Sequence, residues 1–139
     1  MTRLALLSLV VITCTIAAGC ETPDRAPAYG YGDPYPAPMN DPDITVLSPD
    51  LRQWLGFQEA IVVKADGRPI EVQVPVRNLA SRQYLIEYRF LFYDDAGMEL
   101  EPVMGWKFVS LDANQLVNLK ANSMGPDAVR YRLEVRWSK

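Results

Sequence analysis

Hydrophobic and polar residues alternate most clearly between Tyr84 and Tyr93. Tyr84, Ile86, Tyr88, Phe90 and Phe92 share one side of an extended chain, and Leu85, Glu87, Arg89, Leu91 and Tyr93 share the other. Side chains on a strand point to opposite faces in turn, so the first set can enter a core while Glu87 and Arg89 stay in water. The stretch is aromatic and branched, holds no Gly or Pro, and stops at Asp94-Asp95-Ala96-Gly97, which is turn chemistry. It reads as the central strand of a β-sandwich.

The same period of two recurs on both sides. Ile70, Val72, Val74 and Val76 face in, against Glu71, Gln73, Pro75 and Arg77. Pro75 cannot donate a ladder hydrogen bond, which predicts an edge strand or a bulge. Val129, Tyr131, Leu133, Val135 and Trp137 alternate with Arg130, Arg132, Glu134 and Arg136. Shorter strands are expected over Ile44–Leu47, over Ala60–Lys64 (as a buried run), over Trp106–Leu111 and over Gln115–Ala121. Asp66-Gly67 carries a two-residue hairpin signal. Ser48-Pro49 through Gly56 predicts one helical turn, with Ser48 as cap, Pro49 at the first position and Gly56 as stop. Leu51, Trp54 and Leu55 would plug one end of the sandwich. Two packed sheets are the economical way to bury so many one-sided strands. The expected fold is all-β, an immunoglobulin-like antiparallel β-sandwich of about seven strands with one short helical turn near the domain start.

The first 43 residues have a different character. Met1-Thr2-Arg3 followed by an apolar run from Leu4 to Ile16 has the layout of a secretion signal over residues 1–19. Ala17-Ala18-Gly19-Cys20 resembles a bacterial lipobox, with Ala17 where Leu is usual. In such signals the Cys is lipidated and becomes the new N-terminus. The plainer alternative is an ordinary secretory peptide cut near Ala18. Residues 20–43 hold the lipidated Cys20 and a Pro- and Tyr-rich stretch with too little apolar surface to offset ordering entropy. They read as a disordered tether reaching on the order of 70 Å when extended. Residues 44–139 make the β-sandwich domain.

Composition then removes whole classes of chemistry. The chain has no His and two Cys, Cys14 and Cys20, the first of which leaves with the signal. The commonest general base, the commonest metal ligand and an internal disulfide are thereby missing. The serine residues lack a His partner for a usual triad. The net charge of −3 argues against nucleic acid as a partner. No catalytic residue, cofactor or metal is expected.

A strand ending in Tyr-Arg-Phe-x-Phe-Tyr-Asp-x-x-Gly, preceded by an Asn-bearing loop and followed by a Trp strand, resembles the YcfL-like family of small bacterial lipoproteins. Here those residues are Asn78, Tyr88, Arg89, Phe90, Phe92, Tyr93, Asp94, Gly97 and Trp106. The resemblance runs from Ile61 to Trp137. It implies a β-sandwich on a lipid anchor in the cell envelope, with no established enzymatic activity. The Pro- and Tyr-rich stretch is a departure from it.

Each remaining candidate has a plain reading beside the functional one. Arg130, Arg132 and Arg136 could contact an acidic partner, or form a solvated face balanced by Glu71 and Glu87. Tyr93, Trp106 and Trp54 could stack on a sugar, or simply pack. Asp94 and Asp95 could act as acid and base or bind calcium, or stabilise their turn. The expected function is that of an envelope lipoprotein, held to the membrane by its N-terminal lipid, whose sandwich binds or positions another envelope protein. The alternative is a peptidoglycan- or glycan-binding module. Glu21 after Cys20 points to the outer membrane if the host is diderm.

Overall fold

The computed structural model describes residues 41–139. The expected signal at 1–19, the expected lipidation site Cys20 and the expected tether as far as residue 40 lie outside the described residues. The elements run in the order β1 (Ile44–Val46), α1 (Pro49–Arg52), β2 (Leu55–Phe57), β3 (Ile61–Val63), β4 (Glu71–Asn78), β5 (Tyr84–Tyr93), β6 (Lys107–Leu111), β7 (Leu116–Asn122) and β8 (Arg130–Trp137). They form two sheets. One has the order β1-β8-β5-β6. In the other, β4 is flanked by β7 on one side and by β2 and then β3 on the other. The fold is the expected all-β sandwich, with one short helix and eight strands among the described residues.

β5 is central, pairing with β8 from Ile86 to Tyr93 and with β6 from Tyr84 to Tyr88. Its inward set is buried as the alternation requires, Tyr88 partly so. Phe90 is fully buried and meets Tyr88, Phe92 and Tyr131 at ring centroid distances of 6.1, 6.4 and 6.0 Å. At the other end Leu51 of α1 is fully buried, and Trp54 and Trp137 stand edge-on to Tyr84. The helical turn is therefore a plug, as expected.

Several expectations are corrected. The sandwich is not wholly antiparallel, because β1 runs parallel to β8. These strands are far apart in sequence, so no hairpin dictates their relative direction. Gly56 does not stop the helix. It lies within β2, opposite Arg77, and the helix has already ended at Arg52. Ser48 does not cap through its side chain; its Oγ accepts from Trp137 N–H at 3.3 Å. Asp66-Gly67 sits in a longer loop, where Arg68 N–H donates to the Ala65 carbonyl and Gly67 takes φ +70°.

The run Ile61–Val63 is not buried. Phe57 faces Val76, but Ile61 faces Gln73, so residues 58–60 oppose only Val74 and Pro75. This one-residue slip exchanges the faces of everything after it. Ile61 and Val63 turn outward, while Val62 faces Val72 on the inner side; all three are exposed. The same break explains Pro75, which lies in a central strand and not at an edge. Its carbonyl accepts from Gln58 N–H at 3.0 Å on the β2–β3 side, so the missing donor would have pointed into the gap between those two strands.

Asn78 joins the sheets. It is fully buried at the end of β4. Its Nδ2 donates to the carbonyls of Arg82 (2.7 Å), Leu111 (3.0 Å) and Asp112 (3.0 Å), and its Oδ1 accepts from Ala80 N–H (2.9 Å). One side chain thus holds both the β4–β5 and the β6–β7 crossovers. Asn78→Ala should cost about 3 kcal/mol, since it leaves buried backbone groups without partners. Asn78→Asp should cost more, because a carboxylate would face three carbonyls. Denaturant melts of the two variants check both the size and the order.

The outer side of β5 is less wet than the alternation predicts. Leu91 is 5% exposed although it faces away from the core, whereas Leu85 on the same side is 45% exposed. Phe90→Ala should cost ~3–5 kcal/mol and Leu91→Ala ~2–4 kcal/mol, both by leaving cavities. Leu85→Ala should stay within about 0.5 kcal/mol. Equal losses from Leu91→Ala and Leu85→Ala in the same melts would contradict the burial described.

Candidate functional site

The outer face of the β1-β8-β5-β6 sheet gathers most of the singled-out residues. Strand register sets Glu87 opposite Arg136, Arg89 opposite Glu134, Leu91 opposite Arg132 and Tyr93 opposite Arg130. The first two pairs close as ion pairs, Arg136 Nη2 to Glu87 Oε2 and Arg89 Nε to Glu134 Oε2, each at 2.8 Å. Glu134 is buried, which its pairing with Arg89 makes tolerable. Trp106 precedes β6. The Arg136 and Arg89 guanidinium carbons lie 3.9 and 4.7 Å from its ring centroid. Arg132 lies over the Tyr93 ring at 5.5 Å.

Trp106 and Arg136 therefore form one cluster, and Tyr93 and Arg132 a second. Arg130 belongs to the rim of the latter; a Cβ on Gly97, which takes φ +82°, would come within 3.0 Å of its Nη2. Glu71 does not balance these arginines as expected, because it lies in the other sheet. Trp54 is buried in the core and offers no ring to a sugar. Asp94 stabilises its turn: its Oδ1 accepts from Met98 N–H at 2.7 Å, and its carbonyl accepts from Gly97 N–H at 3.1 Å. Among the described residues no group of three or more His, Cys, Asp or Glu side chains could hold a metal ion, and no helix is long and apolar enough to cross a membrane.

Near this rim two groups are shifted. Burial and the neighbouring Asp41 raise Asp43 above the usual carboxylate range, outweighing Arg130 and Arg132, which lower it. Tyr131, turned inward from β8, is pushed up to about 12, first by burial and then by Asp41 and Asp43.

A second site lies at the flank of the sandwich beside β6 and β7. A cleft of about 590 Å³ opens there. Phe92, Leu100, Val103, Met104 and Met124 supply apolar lining, and Glu101, Lys107 and Asp127 supply polar groups. Backbone bonding holds both walls. Leu100 N–H donates to the Phe92 carbonyl at 2.8 Å, and Tyr93 bridges Glu99. On the opposite wall Ser123 Oγ accepts from Ile70 N–H at 3.0 Å and donates to the Gly125 carbonyl at 2.6 Å. Sequence periodicity does not reveal this cleft. Its one visible trace is the placing of Met104 and Met124 in turn segments, where apolar residues serve no strand pattern.

Fold and surface together define a small two-sheet β-sandwich domain with an arginine-covered aromatic face and a flank cleft. Residues 43–137 match the family described as "Protein of unknown function (DUF1425)", and the chain belongs to that family. The crystal structure of a DUF1425 family member from Shewanella sp. pv-4 is similar at 23% identity and TM-score 0.54, over 61% of this chain and 79% of that one. The crystal structure of Campylobacter jejuni cj0090 is similar at 17% identity and TM-score 0.58, over 70% of this chain and all of that one. At these identities the likeness concerns the fold. No curated protein matches the sequence.

The Tyr131 shift makes a pH prediction. A phenol raised in the folded state contributes stability below the unfolded pKa of ~10, and that contribution is lost as pH rises through the folded value near 12. Stability should therefore fall between those limits, and more gently in Tyr131→Phe. Urea melts across the alkaline range check the difference in slope. An identical slope would place the titration elsewhere.

Proposed function

We propose that the chain is a YcfL-like envelope lipoprotein, anchored by lipid on Cys20, whose sandwich holds a segment of another envelope protein without catalysing a reaction. The observation that carries this reading is the flank cleft. Its apolar lining with charged groups beside it matches the anatomy of protein docking surfaces. Methionine adapts to irregular partner side chains, and Met124 stands 78% exposed at the cleft. The volume lies in the range of sites that enclose small ligands or a few side chains. In a diderm host, Glu21 favours the outer membrane, so the partner would be met in the periplasm.

The glycan reading draws less support. A sugar stacks on an open aromatic face, whereas Tyr93 and Trp106 carry guanidinium groups over their rings. Those arginines already face neighbouring aromatics and, for Arg136 and Arg89, are paired with Glu87 and Glu134.

Photocrosslinking in the native cells tests the proposal. A photoreactive residue at Val103 should give a discrete protein adduct, and one at Asn118, on the outer face of the other sheet, should not. Met104→Asp should reduce the adduct at least tenfold while the protein stays folded. Equal adducts from both positions would remove the cleft from the argument. Sedimentation with purified sacculi, lost in Trp106→Ala, would replace the proposal with the glycan reading.

A further inference from the structure

The outer strand β3 differs from β6 and β7. β7 presents exposed Asn118, Lys120 and Asn122, and β6 opens with exposed Lys107 before an exposed Phe108. Charged and polar residues of this kind blunt an edge against further pairing. β3 is Ile61-Val62-Val63 with no charge, Pro or Gly, exposed at 55%, 44% and 54%. Among the described residues it pairs with β4 alone.

Backbone directions along this edge can be worked out. The Pro75 carbonyl points to the β2–β3 side, where Gln58 N–H meets it. Carbonyls alternate along a strand, so Gln73 and Glu71 point the same way, toward their partners Ile61 and Val63. Ile61 and Val63 therefore spend their backbone groups on β4. Val62 turns its N–H and C=O outward, to the free edge.

We propose that this edge pairs with β3 of a second copy of the chain, antiparallel, with Val62 opposite Val62 on a two-fold axis. Parity requires that an outward-facing residue meet another outward-facing residue, and this register satisfies that. It then sets Ile61 opposite Val63 of the second copy on one side of the sheet, and the two Val62 side chains together on the other. Every contact is β-branched against β-branched, with no charge facing an apolar group. The strand is thus self-complementary, which is what a two-fold interface demands. A foreign strand could match the backbone, but the side chains on both faces already match their own. The paired strands would join two copies of the β7-β4-β3 sheet into one continuous sheet.

The short contact makes the dimer weak and concentration-dependent. Light scattering of the full purified chain in detergent should show mass rising toward the dimer with concentration. Val62→Lys should remain monomeric throughout while staying folded, because the residue is 44% exposed and makes no ladder bond to β4. Val62→Pro should do the same, since it removes only the outward N–H. On oxidation Val62→Cys should give a disulfide-linked dimer above the level of the wild-type chain, and Leu85→Cys should not. A monomeric wild-type chain at every concentration overturns the proposal. So does dimerisation unchanged by Val62→Lys, or capture of a different protein by Val62→Cys in cells. Met104→Asp should leave the dimer intact, so this inference stands or falls apart from the cleft.

Discussion

The two sheets are held in register by a buried amide. Asn78 ends β4 in one sheet and bonds to the chain where it enters β5 and where it leaves β6 in the other. Two of the crossings between sheets, β4 to β5 and β6 to β7, meet at this end, so a single side chain fixes their spacing. Backbone bonds repeat the tie. Asn78 N–H donates to the Gln115 carbonyl at 3.0 Å, and Asn114 N–H to the Ala80 carbonyl at 3.3 Å, with Asn114 in the left-handed region at φ 58°. Asn suits both positions for separate reasons. At 78 it supplies two donors and an acceptor to buried carbonyls and an amide; at 114 it tolerates positive φ. The hydrophobic core fills the space that this joint defines. Without the joint, inward-facing rows could slide against one another at little cost, because apolar contact is not directional.

The outer face of the β5–β8 pair shows how a charged surface can be structural. Two Arg–Glu pairs run in opposite order along neighbouring strands, so the charges cancel locally. Their guanidinium planes then have apolar sides to offer, and Trp106 takes both. Lysine could form the ion pairs but not the flat contact with the indole. Farther along the strand Leu91 is as dry as a core residue. Arg130 at the far end stands exposed, whereas Arg136 is packed against Trp106 and Glu87, so the two ends of the arginine stripe have different roles despite identical residue types.

How much of this could be read from sequence depends on how local each determinant is. β4, β5 and β8 were legible because period-two alternation is a property of consecutive residues. The plug over one end followed from Pro49 and the spacing of Leu51, Trp54 and Leu55. The exposure of β3 is not legible, because three branched residues in a row look the same whether buried or exposed, and the slip at residues 58–60 that turns Ile61 and Val63 outward is a relation to β4. Pro75 left an edge and a bulge open, and the structure shows the second, an irregularity in the pairing beside it. A missing donor signals an edge only if something stands opposite it, and here the neighbouring strand is interrupted. The sequence singles out Tyr93, Trp106 and the arginines only one residue at a time. That Trp106 belongs with Arg89 and Arg136, and Tyr93 with Arg132, required the β5–β8 register. The cleft was illegible because its walls are two turn segments that meet only after the sheets have packed.

These relations also bear on how the surfaces could work together. The cleft lies on the flank beside β6 and β7, and the bare strand lies on the opposite side of β4 from β7. Pairing through β3 would leave the cleft of each copy open and repeat it across the two-fold axis. A partner with two matching segments would then bind by both, the second at a high effective concentration set by the first. Confinement of the chains to a membrane would act in the same direction, raising local concentration enough to populate a contact that is weak in free solution. A brief apolar edge is therefore consistent with solubility and with association. It is too short to drive aggregation of dilute monomers, and its register is unambiguous once two copies are held near each other.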